Sequence, residues 1–163
     1  FSLKLFFLFP PPPPLSFPNK VVFMTFNQEV VVYGDGSLAP LVITGDRLHN
    51  EASLTQYVQS QLQHTQFDSV AKSHARLQRQ LDQLEESGGT ALGPAVWTAV
   101  QLAAAQQRPA EVVVFTDGQP NIGLGSLDAL GPKQAAAFYT RVGQLARDNK
   151  TSVSIIGIEG SQV

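Results

Sequence analysis

The 163-residue chain has no cysteine, which excludes disulfides, thiolate metal sites and a cysteine nucleophile while leaving the redox compartment open. Charge is sparse and nearly balanced, with 11 basic against 13 acidic residues and a formal net charge of −2. No basic cluster stands out, which argues against nucleic acid or an anionic membrane surface as partner. His49, His64 and His74 each lack a second histidine or carboxylate at a metal-binding offset such as H-E-x-x-H, so no histidine chemistry is assigned. There is no G-x-G-x-x-G after a first strand, no P-loop lysine and no Ser-His-Asp or paired-carboxylate set. No apolar run is long enough to span a bilayer. The longest candidate, residues 1–9, carries only Lys4 as a positive charge and runs into Pro10–Pro14 where a signal-cleavage site would lie.

What is present suits one globular domain. The apolar content of 43% suffices for a core. Residues 1–19 stand apart as a proline-rich leader, and residues 20–163 form the domain. Apart from Lys4, residues 1–18 are only Phe, Ser, Leu and Pro, the residues whose codons can be all pyrimidine. Two origins stay open: a translated polypyrimidine tract from beside a splice acceptor, or a disordered leader with a polyproline II stretch. With Phe1 first, the chain reads as a fragment or as lacking its start.

From Lys20 the pattern changes. Lys20–Phe26 and Glu29–Tyr33 are β-rich runs separated by Asn27-Gln28, which predicts a hairpin, and Leu41–Ile43 predicts a short third strand after the Gly34–Ser37 turn. Residues 51–63 predict a helix through Leu54, Val58 and Leu62. Val70, Leu77, Leu81 and Leu84 predict another between Ser69 and Glu86, with His74 at the core margin. Ser87-Gly88-Gly89-Thr90 breaks it, and Ala91–Gln107 predicts a third helix with Pro94 in its first turn. Glu111–Gly125, EVVVFTDGQPNIGLG, organises the rest: Val112–Phe115 reads as a buried parallel strand that stops at Thr116-Asp117-Gly118. A helix from about Pro132 to Asn149 and a last buried strand, Thr151–Ile158, follow. Strand, helix, strand at this spacing predicts a parallel crossover. The expected fold class is α/β: a doubly wound, Rossmann-like, mostly parallel sheet with one antiparallel edge hairpin.

The sheet edge after Val112–Phe115 is where ligands bind in open α/β folds. Thr90 and Asp117 each sit between a regular element and a glycine-rich turn, so convergence of the two loops would direct hard oxygen ligands at a cation such as Mg²⁺. Equally open is a structural role, with Thr90 capping a helix and Asp117 bonding turn amides.

Thr25-Phe26-Asn27, Val32–Gly36, Gly88–Ala95 and Phe115–Gly118 with Asn121–Leu127 together resemble a von Willebrand factor A-type domain. The likeness is to the branch found in circularly permuted Ras-like proteins and related to vesicle-coat trunk domains. It implies a metal-ion-dependent adhesion site, with Thr90 as its loop threonine and Asp117 as its second aspartate. It further implies a non-enzymatic protein-interaction module whose Mg²⁺ is completed by an acidic side chain of a protein partner, in a cytoplasmic setting. The Asp-x-Ser-x-Ser loop of that site does not occur in this sequence, nor do the usual first strand and helix precede Lys20. A C-terminal helix would follow Gly160. A missing central strand would leave unsatisfied ladder groups at about 1–3 kcal/mol each, so the chain is expected to be marginal unless residues 3–9 fill the gap. Two other functions stay open: a Rossmann-like enzyme domain binding a nucleotide or phosphate where Gly88-Gly89 precedes a helix, and an incomplete chain without function of its own.

Overall fold

The computed structural model describes residues 3–8, 20–84 and 88–157. The proline run, the Glu85–Ser87 junction and everything after Gly157 lie outside the described residues. Seven strands, β1 (Leu3–Leu8), β2 (Lys20–Phe26), β3 (Val30–Gly34), β4 (Leu41–Ile43), β5 (Asp68–Ser69), β6 (Ala110–Thr116) and β7 (Thr151–Gly157), form one sheet. Among the described residues four α-helices accompany it: α1 (Glu51–Gln61), α2 (Val70–Asp82), α3 (Leu92–Ala105) and α4 (Leu127–Asp148).

The sheet order is β4-β3-β2-β1-β6-β7, with β5 paired to β2 off this path. Among the described residues only β6 and β7 are parallel; β1 with β2, β1 with β6, β2 with β3, β2 with β5 and β3 with β4 are all antiparallel. This corrects the expected mostly parallel, doubly wound sheet. Apolar runs and β-branched residues specify a strand but not its direction. Here direction is set by the β2–β3 hairpin on one side and by β1 on the other. Leu3–Leu8 enters between β2 and β6, with Phe6 opposite both Phe23 and Val113, so both inner strands have a ladder partner.

Alternation along β2 divides the sheet into two faces. Val22, Met24 and Phe26 join Val30, Val32, Val112 and Val114 in a core closed by α1, α3 and α4. On the other face Val21 and Phe23 meet α2. Leu92 to Val100 of α3 are buried without a break, as a helix apolar all round must be when enclosed by neighbours. Its Trp97 Nε1 and Gln101 Nε2 both donate to Thr55 Oγ1 of α1, at 2.9 and 3.0 Å. In α4, Ala135, Phe138, Val142 and Ala146 are buried. Gly131, at φ 73°, divides it after a first turn in which Ser126 Oγ accepts the Ala129 amide at 3.1 Å.

Two helix and strand expectations change. The α2 stripe does not reach the central core: only Ser73 is buried, Val70 is exposed, and Leu77, Leu81 and exposed His74 border a groove beside Val21 and Phe23. The last strand is not buried either, since Ile155 and Ile156 of β7 are 51% and 43% exposed.

Candidate functional site

Two loops meet at the C-terminal end of β6. The first is Gly88–Ala91, entering α3, and the second runs from Thr116 to Ser126. Asn121 joins them: its Oδ1 accepts the Thr90 amide at 2.8 Å, while the amides of Asn121 and Ile122 donate to the Thr90 carbonyl at 3.2 and 3.3 Å. The Ala91 amide donates to Asn27 O of the β2–β3 turn at 2.8 Å. Thr90 is thus fixed from both sides by backbone bonds.

Close packing explains the glycines at this junction. A Cβ on Gly89 would lie 2.5 Å from Ile122 Cδ1 and 2.9 Å from Gln28 Cγ. Gly93, in the first turn of α3, lies directly beneath the Leu124 carbonyl, and an added Cβ would collide with it. Gly123 has φ 74° and passes under Leu48 O, which accepts the Leu124 amide at 2.7 Å. The Gly123-x-Gly125 segment is therefore a turn that lets the loop lie flat on α3.

Thr90 Oγ1 faces the second loop, since a Cβ built on Gly118 would be only 2.9 Å from it. Thr90 and Asp117 are therefore at one edge, with Asp117 next in the chain to the residue that Thr90 touches, and both are half-buried. Thr90 does not cap α3, whose N-cap is Ala91 without a side-chain cap bond. In the β6 turn Thr116 Oγ1 accepts the Gly118 amide, at 3.2 Å, while donating to Gly118 O at 2.9 Å. Sequence reasoning missed the clamp by Asn121 and the contribution of Asn27. An asparagine in a Pro-Asn loop, able to bond backbone through its side chain, was the available signal.

One carboxylate and one hydroxyl are a small donor set for a cation that takes about six oxygens. Among the described residues no group of three or more His, Cys, Asp or Glu is placed to hold a metal. The other acidic turn is structural: buried Asp35 accepts the Ser37 amide at 2.9 Å and lies 3.5 Å from the Arg76 guanidinium, tying β3 to α2. Among the described residues no helix is long and apolar enough to cross a membrane.

No family model matches the chain. A relative is "Circularly permutated Ras protein 1" of Dictyostelium discoideum, 38% identical over 152 residues that cover 91% of this chain and 18% of that protein. The chain spans less than a fifth of the length of the curated relative it matches. These findings overturn the von Willebrand factor A-type resemblance, since the relative is named a Ras protein and the sheet is mostly antiparallel. The adhesion module falls with it, because no metal-holding cluster accompanies Thr90 and Asp117 among the described residues. The non-enzymatic expectation is corrected too, since the relative is named a Ras protein.

Proposed function

We propose that the edge formed by Gly88–Thr90 and Thr116–Asn121 binds the phosphate groups of a nucleotide together with Mg²⁺, as part of a longer Ras-like protein. The observation that carries this is the 38% identity to a protein named as a Ras protein. In that class Mg²⁺ bridges phosphate oxygens, and catalysis is mostly positioning and electrostatics.

The chemistry accounts for the short donor set. Mg²⁺ keeps several waters and is commonly held by one or two carboxylates plus the phosphates of its substrate. Asp117 would supply the carboxylate and Thr90 the hydroxyl, with nucleotide phosphate oxygens and water in place of an acidic side chain from a protein partner. The loop of Gly88 and Gly89 leads into α3 and lies at the same edge as Asp117. The chain has no P-loop, so its contacts to phosphate rest on this loop and not on a lysine cradle. Nucleotide hydrolysis belongs to the whole polypeptide, with this chain contributing binding. A cytoplasmic setting and a protein partner belong to the same proposal.

Titration calorimetry of the chain with ATP and GTP, with and without Mg²⁺, tests it. Mg²⁺-dependent binding weakened roughly tenfold or more, about 1.4 kcal/mol, by Thr90→Val and by Asp117→Asn is the expected result. Absence of binding, or binding indifferent to both substitutions, overturns it.

A further inference from the structure

Along β6 the residues Ala110, Val112, Val114 and Thr116 share the buried face of the strand. Valine at the last of these positions would continue the apolar row at nearly the same shape, so packing alone does not call for a hydroxyl there. The bonds of the hydroxyl supply the reason. Thr116 Oγ1 accepts the Gly118 amide and donates to the Gly118 carbonyl, so both polar groups of Gly118 are closed onto the end of the strand with Asp117 between them. β6 is itself paired on both sides, to β1 and to β7, and Thr116 is in register with Gly157. The backbone of Asp117 therefore extends a laddered strand and does not belong to a free loop. The same bonds fix Gly118, which faces Thr90 so closely that an added Cβ would lie 2.9 Å from Thr90 Oγ1.

We infer, on the premise that this edge binds Mg²⁺ with a nucleotide, that Thr116 is a positioning residue. Its hydroxyl holds the Asp117 carboxylate at a fixed separation from Thr90 Oγ1, and that stiffness sets a preference for Mg²⁺ over Ca²⁺. Mg²⁺ demands near-ideal octahedral geometry at about 2.0–2.1 Å, whereas Ca²⁺ accepts about six to eight oxygens at about 2.3–2.6 Å in flexible arrangements. Two donors on a rigid turn suit the first ion. A turn released from its strand suits the second, so loss of the hydroxyl costs Mg²⁺ binding more than Ca²⁺ binding.

Titration calorimetry of the chain with GTP and ATP, in Mg²⁺ and separately in Ca²⁺, reads this preference. Thr116→Val should weaken Mg²⁺-dependent nucleotide binding roughly tenfold and Ca²⁺-dependent binding roughly threefold or less. Thr116→Ser keeps the hydroxyl and should restore the wild-type ratio. In an Asp117→Asn background Thr116→Val should add little, because the two substitutions act through one carboxylate. Circular dichroism verifies the fold; Thr116→Ala, which removes the hydroxyl without putting a methyl group in its place, gives the same comparison if the valine variant does not fold. A wild-type chain that binds no nucleotide with either ion overturns the nucleotide reading and this inference with it. Wild-type binding that Asp117→Asn weakens, but that Thr116→Val leaves intact or weakens equally with both ions, overturns this inference alone. So does a serine variant no better than valine, or a valine effect undiminished in the Asp117→Asn background.

Discussion

Asn121 Oδ1 accepts the backbone amide of Thr90 at 2.8 Å, across 31 residues of sequence. This bond holds the loop before α3 against the loop after β6, and so sets the position of Thr90 beside Gly118.

Replacing Asn121 with alanine removes that acceptor at an exposed site. A stability loss of about 1 kcal/mol is expected, read as a lower urea midpoint at unchanged slope. Nucleotide affinity should fall as well, since the Thr90 hydroxyl loses its fixed position.

Gly93 is the least replaceable glycine. A methyl group there meets the Leu124 carbonyl directly and Phe138 Cε1 at 3.0 Å, so Gly93→Ala must push the loop off α3. Overpacking of this kind costs about 1–3 kcal/mol or more. Gly143→Ala, with open space around the site, is the control and should leave the melting temperature unchanged or higher.

Phe138 is 1% exposed and packs 5.8 Å from the Trp97 ring and 5.3 Å from the Tyr139 ring, centroid to centroid. Phe138→Ala should cost about 3–5 kcal/mol. Against a typical domain stability of about 5–15 kcal/mol, that brings the chain close to unfolding at 25 °C, which near-ultraviolet circular dichroism would detect.

Burial pushes the Tyr139 phenol up to about 12 from 10.0, and its hydroxyl has no hydrogen-bond partner among the described residues. The folded state therefore keeps its proton where the unfolded state has lost it. This contribution is complete below pH 10 and disappears as pH rises toward 12. Urea midpoints measured between pH 8 and pH 11.5 should fall in the wild type, and Tyr139→Phe should abolish that part of the decline. Because the hydroxyl is unpartnered, the phenylalanine variant should be at least as stable as the wild type at pH 8.

Much of the fold was legible in the sequence because local signals and the final structure agree. The β2–β3 hairpin, the glycine break before α3 and the strand Ala110–Thr116 all appear where their residue patterns put them. Strand direction was not legible. Leu3–Leu8 is apolar in a way that fits either orientation, and its antiparallel insertion between β2 and β6 depends on pairing with residues far along the chain. Likewise the apolar character of Thr151–Gly157 promised burial, yet its place at the end of the sheet left Ile155 and Ile156 exposed. At the site, the proximity of Thr90 to the Asp117-Gly118 turn followed from loops sharing one sheet edge. Its clamp by Asn121 did not, since a single polar loop residue carries no periodic pattern.

Paramagnetic broadening by Mn²⁺, used in place of Mg²⁺, is the most direct test of a phosphate-and-metal edge. With ATP or GTP present, Mn²⁺ should selectively broaden the amide resonances of Gly89, Thr90, Asp117 and Gly118, and Asp117→Asn should remove the effect. Broadening centred elsewhere, or equally strong without nucleotide, would contradict a nucleotide site at this edge.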